Sequence, residues 1–461
     1  MTRTMSLGAL VVVATAALTG CGDDGATAAA DLATTPSADD ADASTSGGGS
    51  DDGAVACSDY APDEGPSPAG ARVVLVHSAA ELAAAIAAAA PGDAITLADG
   101  TYHFDANVDV TRPGTTAQRI FMRAEHAGKA TIEHCSTEGF RVSARDWIFE
   151  DLVIKGACPD DTNNEHAFHI TGAAHETILR HNRVVDFKSH VKLNLDDTTS
   201  RIWPDDTWYI GNVFMDTAPQ PGAQPFNALN LDGGRRHVIR GNLFVDLVAA
   251  ADHRASAIYP KITTRDMIVE DNLVVCTKHV TGGFDRAGLS TGEAWNPNPY
   301  CDGDCANVGN IYRNNIVLGC NGPGNSFGIG VGYEKATSYL HNSVHGAKHN
   351  YFDGNANSSG ADVAMVSNIL FADWLFDGPG RPTETHDLLT GAADVFVDAA
   401  HGNFALKDGT AIRGRAPRDA RAPHDFCGHC RAAMTDIGAI DYSDPRAADC
   451  VAKIQSLYDS L

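Results

Sequence analysis

Polar side chains that could perform acid–base chemistry, bind anions or hold a cation recur at intervals along the middle of the chain. Each group lies shortly before an asparagine that is followed by apolar residues. Lysine acts as a base when its pKa is depressed, arginine and lysine neutralise anions, and Asp and Asn oxygens suit calcium. The groups are His166 and His169; Lys192, Asn194 and Asp196; Asn227, Asn230 and Asp232; His253, Arg254, Tyr259 and Lys261; and Asp285, Arg286, Ser290 and Glu293.

The asparagines themselves mark a repeat. Apolar residues alternate around each one, as in a β-strand, and the successive spacings are 30, 30, 30, 43, 27 and 26 residues. An earlier unit carries Asp151 in the corresponding place. Asn tolerates the left-handed backbone of a tight turn, and stacked coils would let these side chains pair along the stack. The asparagines are Asn182, Asn212, Asn242, Asn272, Asn315, Asn342 and Asn368.

This period, with several short strands in each repeat, predicts an all-β fold: a right-handed parallel β-helix, a single-stranded solenoid. Irregular spacing and the lack of leucine or Trp-Asp signatures argue against a leucine-rich solenoid and a β-propeller. Residues 78–90 predict an N-terminal capping helix with Ser78 as N-cap and Glu81 three positions later, and residues 446–461 predict a short C-terminal helix.

The predicted fold brings the polar groups together. Adjacent coils lie about 4.8 Å apart, so residues one repeat apart converge on one face. Aromatic residues such as Trp203 and Tyr259 fall in the same coils and could stack on sugar rings or pack. His166 and His169 are expected on opposite sides of their strand. His169 is expected to face the groove and to bind a sugar hydroxyl.

The charge balance excludes some partners. Lys and Arg number 34 against 59 Asp and Glu, a net charge of -25. Nucleic acid is therefore not expected as a partner, because phosphate binding needs a basic surface. After residue 20 no apolar run approaches the roughly 20 residues of a membrane span, which argues against an integral membrane protein.

The N-terminus has the pattern of an export signal. Arg3 precedes an apolar stretch over residues 7–18, and the following LTGC string resembles the lipobox of bacterial lipoproteins, which implies lipidation of Cys21. Residues 22–56 contain eight Asp and no Lys or Arg, which is typical of a disordered tether. The expected organisation is a signal peptide (1–20), a tether (21–56) and a capped β-helix domain (57–461). The protein is expected to be a monomer, anchored by lipid in the cell envelope and facing outside the cytoplasm, at the outer membrane or cell surface.

Ten cysteines remain besides Cys21, an even number that suggests disulfides in an exported protein. Cys301 with Cys305 and Cys135 with Cys158 are plausible pairs. The CGHC string over residues 427–430 looks like a redox motif, but it lies in a Pro- and Arg-rich segment, which favours a structural disulfide; a metal knot is the alternative.

Two segments resemble known β-helix proteins. PGDAITLADGTYHF, from Pro91, looks like the opening of pectate-lyase-like proteins, and FVDAAHGNFALKDGTAI with the closing DIGAIDY resembles the end of bacterial right-handed β-helix repeat proteins. The resemblance covers about residues 71–442. It implies the fold and not the activity, because this fold hosts lyases, hydrolases, epimerases and adhesins.

The segment AIYPKITTRDMIVEDNLVVCTKHVTGGFDRAGL resembles polysaccharide lyase family six, which includes chondroitinase B and alginate lyases. By that resemblance Lys261 takes the place of the catalytic base and Arg286 that of the catalytic arginine. The implied reaction is β-elimination on a uronate sugar: a base removes the proton at carbon 5, a cation stabilises the enolate, and a group protonates the leaving oxygen. Arg254 would aid neutralisation, with His253, Asn227, Asn230 and Tyr259 lining the groove.

The calcium ligands of that family are not matched. Arg254 and Ser256 stand where two Glu would be, and an Asn at 227 or 230 alone does not hold calcium. Asp196 and Asp232, from two LNLD strings, are the candidate calcium ligands, with turn formation as the alternative. The sequence thus predicts a lyase acting on an acidic polysaccharide. The alternatives are a non-catalytic glycan-binding protein or adhesin, and a hydrolase using Asp196 and Asp232.

Overall fold

The structure is a computed structural model that describes residues 59–159, 164–196, 199–222, 226–250, 253–292, 301, 305–354, 362–389, 395–407 and 411–461. By contacts the chain divides into two units, Met1–Gly53 and Ala54–Leu461. All described residues belong to the second unit. The predicted signal peptide, Cys21 and nearly all of the predicted tether lie outside the described residues.

Three long sheets, each parallel throughout, run side by side along the second unit. From Asp93 to Asp377 each coil contributes one strand to each sheet in turn, and each inner strand pairs with its counterparts one coil before and one coil after. This is a parallel β-helix, which confirms the predicted fold class.

The strands of sheet I are Arg72–Val76, Asp93–Leu97, Ile120–Ala124, Trp147–Glu150, Ile178–Arg180, Trp208–Ile210, Val238–Arg240, Ile268–Glu270, Ile311–Arg313, Ser338–Leu340, Ala364–Val366 and Thr383–Thr385. Those of sheet II are Gly100–Phe104, Ala130–His134, Val153–Gly156, Arg183–Val185, Val213–Met215, Leu243–Val245, Leu273–Val275, Ile316–Leu318, Ser343–His345, Ile369–Leu370 and Leu388–Leu389. Those of sheet III are Val108–Val110, Glu138–Val142, His166–Thr171, Ser189–Asn194, Asn227–Asp232, Ala255–Lys261, Arg286–Ser290, Phe327–Val331, His349–Asp353 and Trp374–Asp377.

Smaller elements complete the fold. Asn307–Val308 pairs with Glu334–Lys335 in parallel, whereas Phe396–Asp398 with Asn403–Leu406 and Ala416–Pro417 with Met434–Thr435 are antiparallel pairs. The helices are Ala79–Ala88, a 3-10 turn Ala399–His401 and Ala447–Asp459. Neither α-helix is long and apolar enough to cross a membrane, a statement that covers only the described part of the chain.

The core consists of inward side chains that stack from coil to coil. In sheet III one inward position is occupied on successive strands by Phe140, Phe168, Val191, Leu229, Ile258, Leu289 and Ile329, all fully buried. The rings of Phe140 and Phe168 stack with centroids 5.3 Å apart. This packing fixes which residues of each strand face outward, and so it positions the polar side chains on the outer face of sheet III.

The asparagine repeat forms a continuous ladder inside the turns from sheet I to sheet II. Each Asn Oδ1 accepts from the backbone N–H and the Nδ2 of the preceding Asn; between Asn212 and Asn242 these distances are 2.9 and 3.1 Å. Asp387 ends the ladder by accepting from the backbone N–H and the Nδ2 of Asn368.

Two details of the repeat differ from expectation. Leu152, not Asp151, stands one coil before Asn182, because the Leu152 N–H donates to Asn182 Oδ1. The left-handed conformation also belongs to the residue before each asparagine: φ is 63° at Asp151 and 56° at His181. The asparagine supplies hydrogen bonds, and its predecessor makes the turn.

Both predicted helices form. The Ser78 hydroxyl accepts from the Glu81 N–H, and the Glu81 carboxylate accepts from the His77 N–H, so this capping box reaches one residue further back than expected. The C-terminal helix packs its buried Cys450 and Ile454 against outward residues of sheet II, with Leu273 in the same cluster. It therefore covers the side of the solenoid.

Four disulfides are described. Cys135–Cys158 and Cys301–Cys305 confirm the two pairs considered from the sequence, and Cys276–Cys320 is a third. The fourth joins Cys427 to Cys450. The CGHC string thus fastens the C-terminal helix instead of closing a bond within the motif.

Candidate functional site

Outward side chains of sheet III form two adjacent rows across consecutive strands. The first row is His169, Lys192, Asn230 and Tyr259, which are register partners in that order. The second row lies two residues further along each strand and contains Asn194, Asp232 and Lys261. Strands about 4.8 Å apart bring these residues, widely separated in sequence, onto one face.

Two lysines share one carboxylate in this face. The Lys192 ammonium contacts Asp232 Oδ2, and Lys261 Nζ lies 3.4 Å from Asp232 Oδ1. The side chains are largely buried, at 14% exposure for Lys192 and 18% for Lys261. One negative charge therefore faces two positive ones, and the cluster carries excess positive charge where water is partly excluded.

Burial lowers the pKa of Lys192, and the nearby charge of Lys261 acts in the same direction, whereas Asp232 opposes the shift. A lysine in these surroundings gives up its proton more readily than an exposed lysine does. Lys261 Nζ also lies 5.7 Å from the centre of the Tyr259 ring, which places a phenol beside the ammonium.

A carboxylate–histidine pair extends the first row. His169 Nδ1 lies 2.6 Å from Glu138 Oε1, and its Nε2 lies 2.9 Å from Asn194 Oδ1. Both ring nitrogens are thus in contact with side-chain oxygens. The hydrogen bond from His169 lowers the pKa of Glu138. The pair thus offers a fixed polar contact further along the groove.

His166 lies on the same side as His169, with ring centroids 5.6 Å apart, which corrects the expectation of opposite faces. The strand departs from simple alternation at its start, where the chain leaves the preceding turn. Burial lowers the pKa of His166 to about 3, so its ring is neutral at physiological pH.

The structure does not bring Arg286 beside Lys261. Arg286 is the register partner of Ala255, at the other end of the strand that Lys261 terminates. Six residues of strand separate the two positions, about 20 Å. The Arg286 guanidinium is buried and donates to the carbonyl oxygens of Phe284, Val280 and Gly282. This arrangement corrects the expected catalytic pair: Arg286 holds a loop.

Arg254 and His253 also lie at the start of the strand, away from Lys261. The Arg254 guanidinium sits 4.4 Å from the centre of the Phe327 ring, and the His253 ring stacks on Phe226 at 5.7 Å. Asn227 belongs to this end as well, since it pairs in register with Ser256. These residues are not gathered around Lys261, whereas Asn230 and Tyr259 are.

The residues considered for calcium do not fit a calcium site. Asp232 faces two ammonium groups, and Asp196 accepts from the Ser200 hydroxyl and the Ile202 N–H, which closes a turn. In the described part of the chain no group of three or more His, Cys, Asp or Glu is arranged for a metal ion. Asp196 and Asp232 also belong to separate contacts, so they do not form the acid pair that a hydrolase would need.

Sequence reasoning missed Glu138 and the ion pair of Lys192. Glu138 lies 31 residues before His169, one coil earlier, and the period alone could have paired the two coils. Lys192 and Asp232 lie 40 residues apart because the turn between their strands is longer than usual, so a fixed period would have misplaced them.

Comparison with known proteins supports a relation to polysaccharide lyases. The family model described as Chondroitinase B matches residues 76–203. The chain is similar to chondroitinase B over that part. The matched part includes Glu138, His169 and Lys192 and ends before Asp232 and Lys261.

Several solved β-helix structures resemble the chain at low sequence identity. An alginate lyase from Paenibacillus sp. str. FPU-7 has 17% identity and a TM-score of 0.44, covering 69% of this chain and 99% of that one. Pectate lyase Pel9A has 13% identity and a TM-score of 0.47, covering 81% and 97%. A mannuronic acid specific family 6 lyase from human gut microbiota has 15% identity and a TM-score of 0.36, covering 69% and 82%. No curated protein sequence matches the chain at a significant level.

Proposed function

We propose that the protein cleaves an acidic polysaccharide by β-elimination at the outer face of sheet III. The observation that carries the proposal is the sharing of the Asp232 carboxylate by Lys192 and Lys261 on that face. The reaction needs a base near carbon 5 of a uronate and positive charge near its carboxylate, and a lysine pair can supply both. The similarity to chondroitinase B supports the same reaction class.

Lys261 is assigned as the base. Its ammonium lies further from Asp232 than that of Lys192 does, and the Tyr259 ring lies beside it. Lys192, held against Asp232, keeps the local charge positive and neutralises the uronate carboxylate as the enolate forms.

Tyr259 is assigned as the acid that protonates the leaving glycosidic oxygen. Its ring lies 5.7 Å from Lys261 Nζ, close enough for both groups to contact one glycosidic linkage. His169 lies three strands away and Glu138 four, and both are assigned to binding a sugar residue further along the polymer. No step in this scheme uses calcium.

Arginine substitution separates the roles of the lysines, because arginine keeps the positive charge but cannot act as a base. The assay offers alginate, polygalacturonate, chondroitin sulfate and dermatan sulfate, and follows the ultraviolet absorbance of unsaturated product. We expect Lys261→Arg to lose activity by more than about hundredfold and Lys192→Arg to keep a measurable fraction. Activity that survives in Lys261→Arg would refute the base assignment.

A non-catalytic glycan-binding protein is the second candidate. The observation in its favour is the burial of Arg286, which leaves no guanidinium beside Lys261 from that position. Folded wild-type protein that binds these polymers without forming unsaturated product would support this candidate over the lyase.

We also propose that the protein is exported, lipid-anchored through Cys21 in the cell envelope, and monomeric. The LTGC string and the acidic segment that follows support the anchor. Labelling of expressing cells with radioactive palmitate should mark the wild-type protein and not Cys21→Ala. Sedimentation of residues 57–461 should give the mass of one chain.

A further inference from the structure

A second cationic site lies beyond the groove, at the turn from sheet III to sheet I. A cavity of about 440 Å³ is lined there by residues from five successive coils. That volume falls within the range of small-molecule sites. The residues that carry the argument are His175, Arg201, Trp203, Asp205, Arg235 and Arg265.

The lining is cationic in an acidic protein. Arg235 and Arg265 line the cavity, and Asp205 is the one acid among its described lining residues, in a chain whose net charge is -25. The Asp205 carboxylate already contacts Arg235. Asp205 Oδ1 accepts from the Arg235 backbone N–H at 3.0 Å, and Asp205 Oδ2 lies 3.8 Å from Arg235 Nε. The described lining of the cavity thus holds more arginine than carboxylate.

Two of the arginines lie one above the other on adjacent coils, and a bound anion would reduce the repulsion between their charges. Arg235 and Arg265 form a parallel bridge, so they occupy the same position on adjacent coils. Like charges on neighbouring strands repel, and both side chains are exposed at the cavity. A bound carboxylate or sulfate between the guanidinium groups would turn this repulsion into two charge-assisted contacts.

His175 adds a donor of defined direction. Its Nδ1 accepts from the Asp205 N–H at 3.1 Å, and a backbone N–H can only donate. The proton of the neutral ring therefore lies on Nε2, which is available to donate to a ligand oxygen.

Trp203 provides a rigid aromatic surface. Its ring packs so closely on Gly233 that a Cβ there would lie 2.6 Å from it, and it contacts the cluster of Ile262 and the Cys301–Cys305 disulfide. Gly234, which lines the cavity, lies two residues after Asp232, so the cavity is close to the carboxylate that the two lysines share. An aromatic face beside polar donors is the combination that sugar rings stack on.

We propose that this cavity binds an anionic sugar residue, its carboxylate or sulfate held by Arg235 and Arg265 and its ring placed against Trp203. The inference rests on the proposed function for the polymer class but concerns binding alone. It makes the cavity a holding site for a polymer segment that continues out of the groove.

The test is calorimetric titration of residues 57–461 with tetrasaccharides of alginate, of chondroitin sulfate and of cellulose, all in the Lys261→Arg background to prevent turnover. We expect at least one anionic tetrasaccharide to bind and the neutral one not to bind. Arg265→Gln and Arg235→Gln should each weaken that binding by about tenfold. Arg236→Gln is the matched control, since Arg236 is exposed on the same coil but pairs with Asp206 outside the cavity lining.

Binding that is equal in Arg265→Gln, Arg235→Gln and Arg236→Gln would overturn the proposal, as would binding of the neutral tetrasaccharide with the same affinity. Whether carboxylate or sulfate is preferred follows from which anionic tetrasaccharide responds to the arginine variants. The proposed lyase can fail independently: absence of unsaturated product from wild-type protein would leave these binding differences intact.

Discussion

Lys192 and Lys261 lie on alternate strands of sheet III and meet at the carboxylate of Asp232 on the strand between them. The arrangement exists only because successive coils stack in register, since 69 residues of chain separate the two lysines. It concentrates positive charge on one face of an acidic molecule.

Removal of the shared carboxylate is the first prediction. Asp232→Asn leaves two ammonium groups facing each other without a counter-charge, and the pKa of Lys192 falls further because the group that opposed its depression is gone. We expect a loss of about 1–3 kcal/mol in the free energy of unfolding. Urea denaturation and the pH–rate profile check this: the loss of activity at high pH, where Lys192 gives up the charge that neutralises the uronate carboxylate, should shift toward lower pH. Unchanged stability together with an unchanged profile would mean that the ion pairs are not formed in solution.

Tyr259→Phe tests the acid. The phenyl ring preserves packing beside Lys261 but cannot donate a proton, so kcat should fall by about 10² to 10⁴ while KM changes little. Steady-state kinetics on the polymer that gives product measures both constants. A rise in KM with kcat unchanged would instead give Tyr259 a binding role.

Arg286→Gln distinguishes a loop anchor from a catalytic residue. The three carbonyl oxygens at 280, 282 and 284 lose their donor, and we expect the free energy of unfolding to fall by about 2–4 kcal/mol. Activity per folded molecule should stay within about threefold of wild type. A stable variant without activity would restore the role that the family resemblance gave to Arg286.

The asparagine ladder should be costly to interrupt. Asn242→Ala removes the acceptor used by Asn212 and two donors of its own, all buried, so we expect a loss of about 2–4 kcal/mol. Asn321 is exposed, and Asn321→Ala should change stability by less than about 0.5 kcal/mol. Chemical denaturation of both variants makes the comparison, and equal losses would contradict it.

Glu334 should make stability depend on pH. Burial raises its pKa to about 8, although hydrogen bonds from Thr337 and Asn307 favour the ionised form. The folded protein therefore keeps a proton that the unfolded chain releases above about pH 4.5, and stability falls as pH rises from there to about 8.

The variant Glu334→Gln lacks this titration. Relative to this variant, the free energy of unfolding of the wild type should fall by on the order of 3–5 kcal/mol between pH 5 and pH 8.5, because each pKa unit corresponds to about 1.4 kcal/mol. Urea titrations of both proteins at the two pH values measure the difference. If the two proteins differ in free energy of unfolding by the same amount at both pH values, the raised pKa of Glu334 is contradicted.

The sequence was sufficient for the fold because one signal is repeated many times. Each asparagine with its apolar neighbours marks one coil, and the ladder from Asn182 to Asn368 is a direct consequence of that period. The sequence did not show which residue of each turn takes the left-handed conformation. The positive φ falls on residues as different as Asp151 and His181, which share no side-chain chemistry.

The site was predictable only in part. Register placed Asn230, Tyr259 and Lys261 on one face, as the repeat implied. The predicted position of Arg286 beside Lys261 was wrong. A separation of one coil in sequence determines which coil a residue occupies, but it does not determine where along the strand the residue lies. The cavity around Arg235 and Arg265 was missed because its residues lie in turns of unequal length, where no periodic pattern identifies neighbours.

The ladder has a consequence for how such a protein can change over evolutionary time. Between Asn242 and Asn272 the chain takes 30 residues to climb one coil, and between Asn272 and Asn315 it takes 43, yet the amide contacts are 3.0 and 2.9 Å. Strand pairing and the amide contacts, and not the length of chain between them, thus set the spacing of the coils. The strands on either side of the longer turn keep the same pairing as those of the 30-residue coil. Loops beside the outer face of sheet III can therefore lengthen or be replaced during evolution. Such changes alter which ligands that face binds, and the stacked coils keep their pairing.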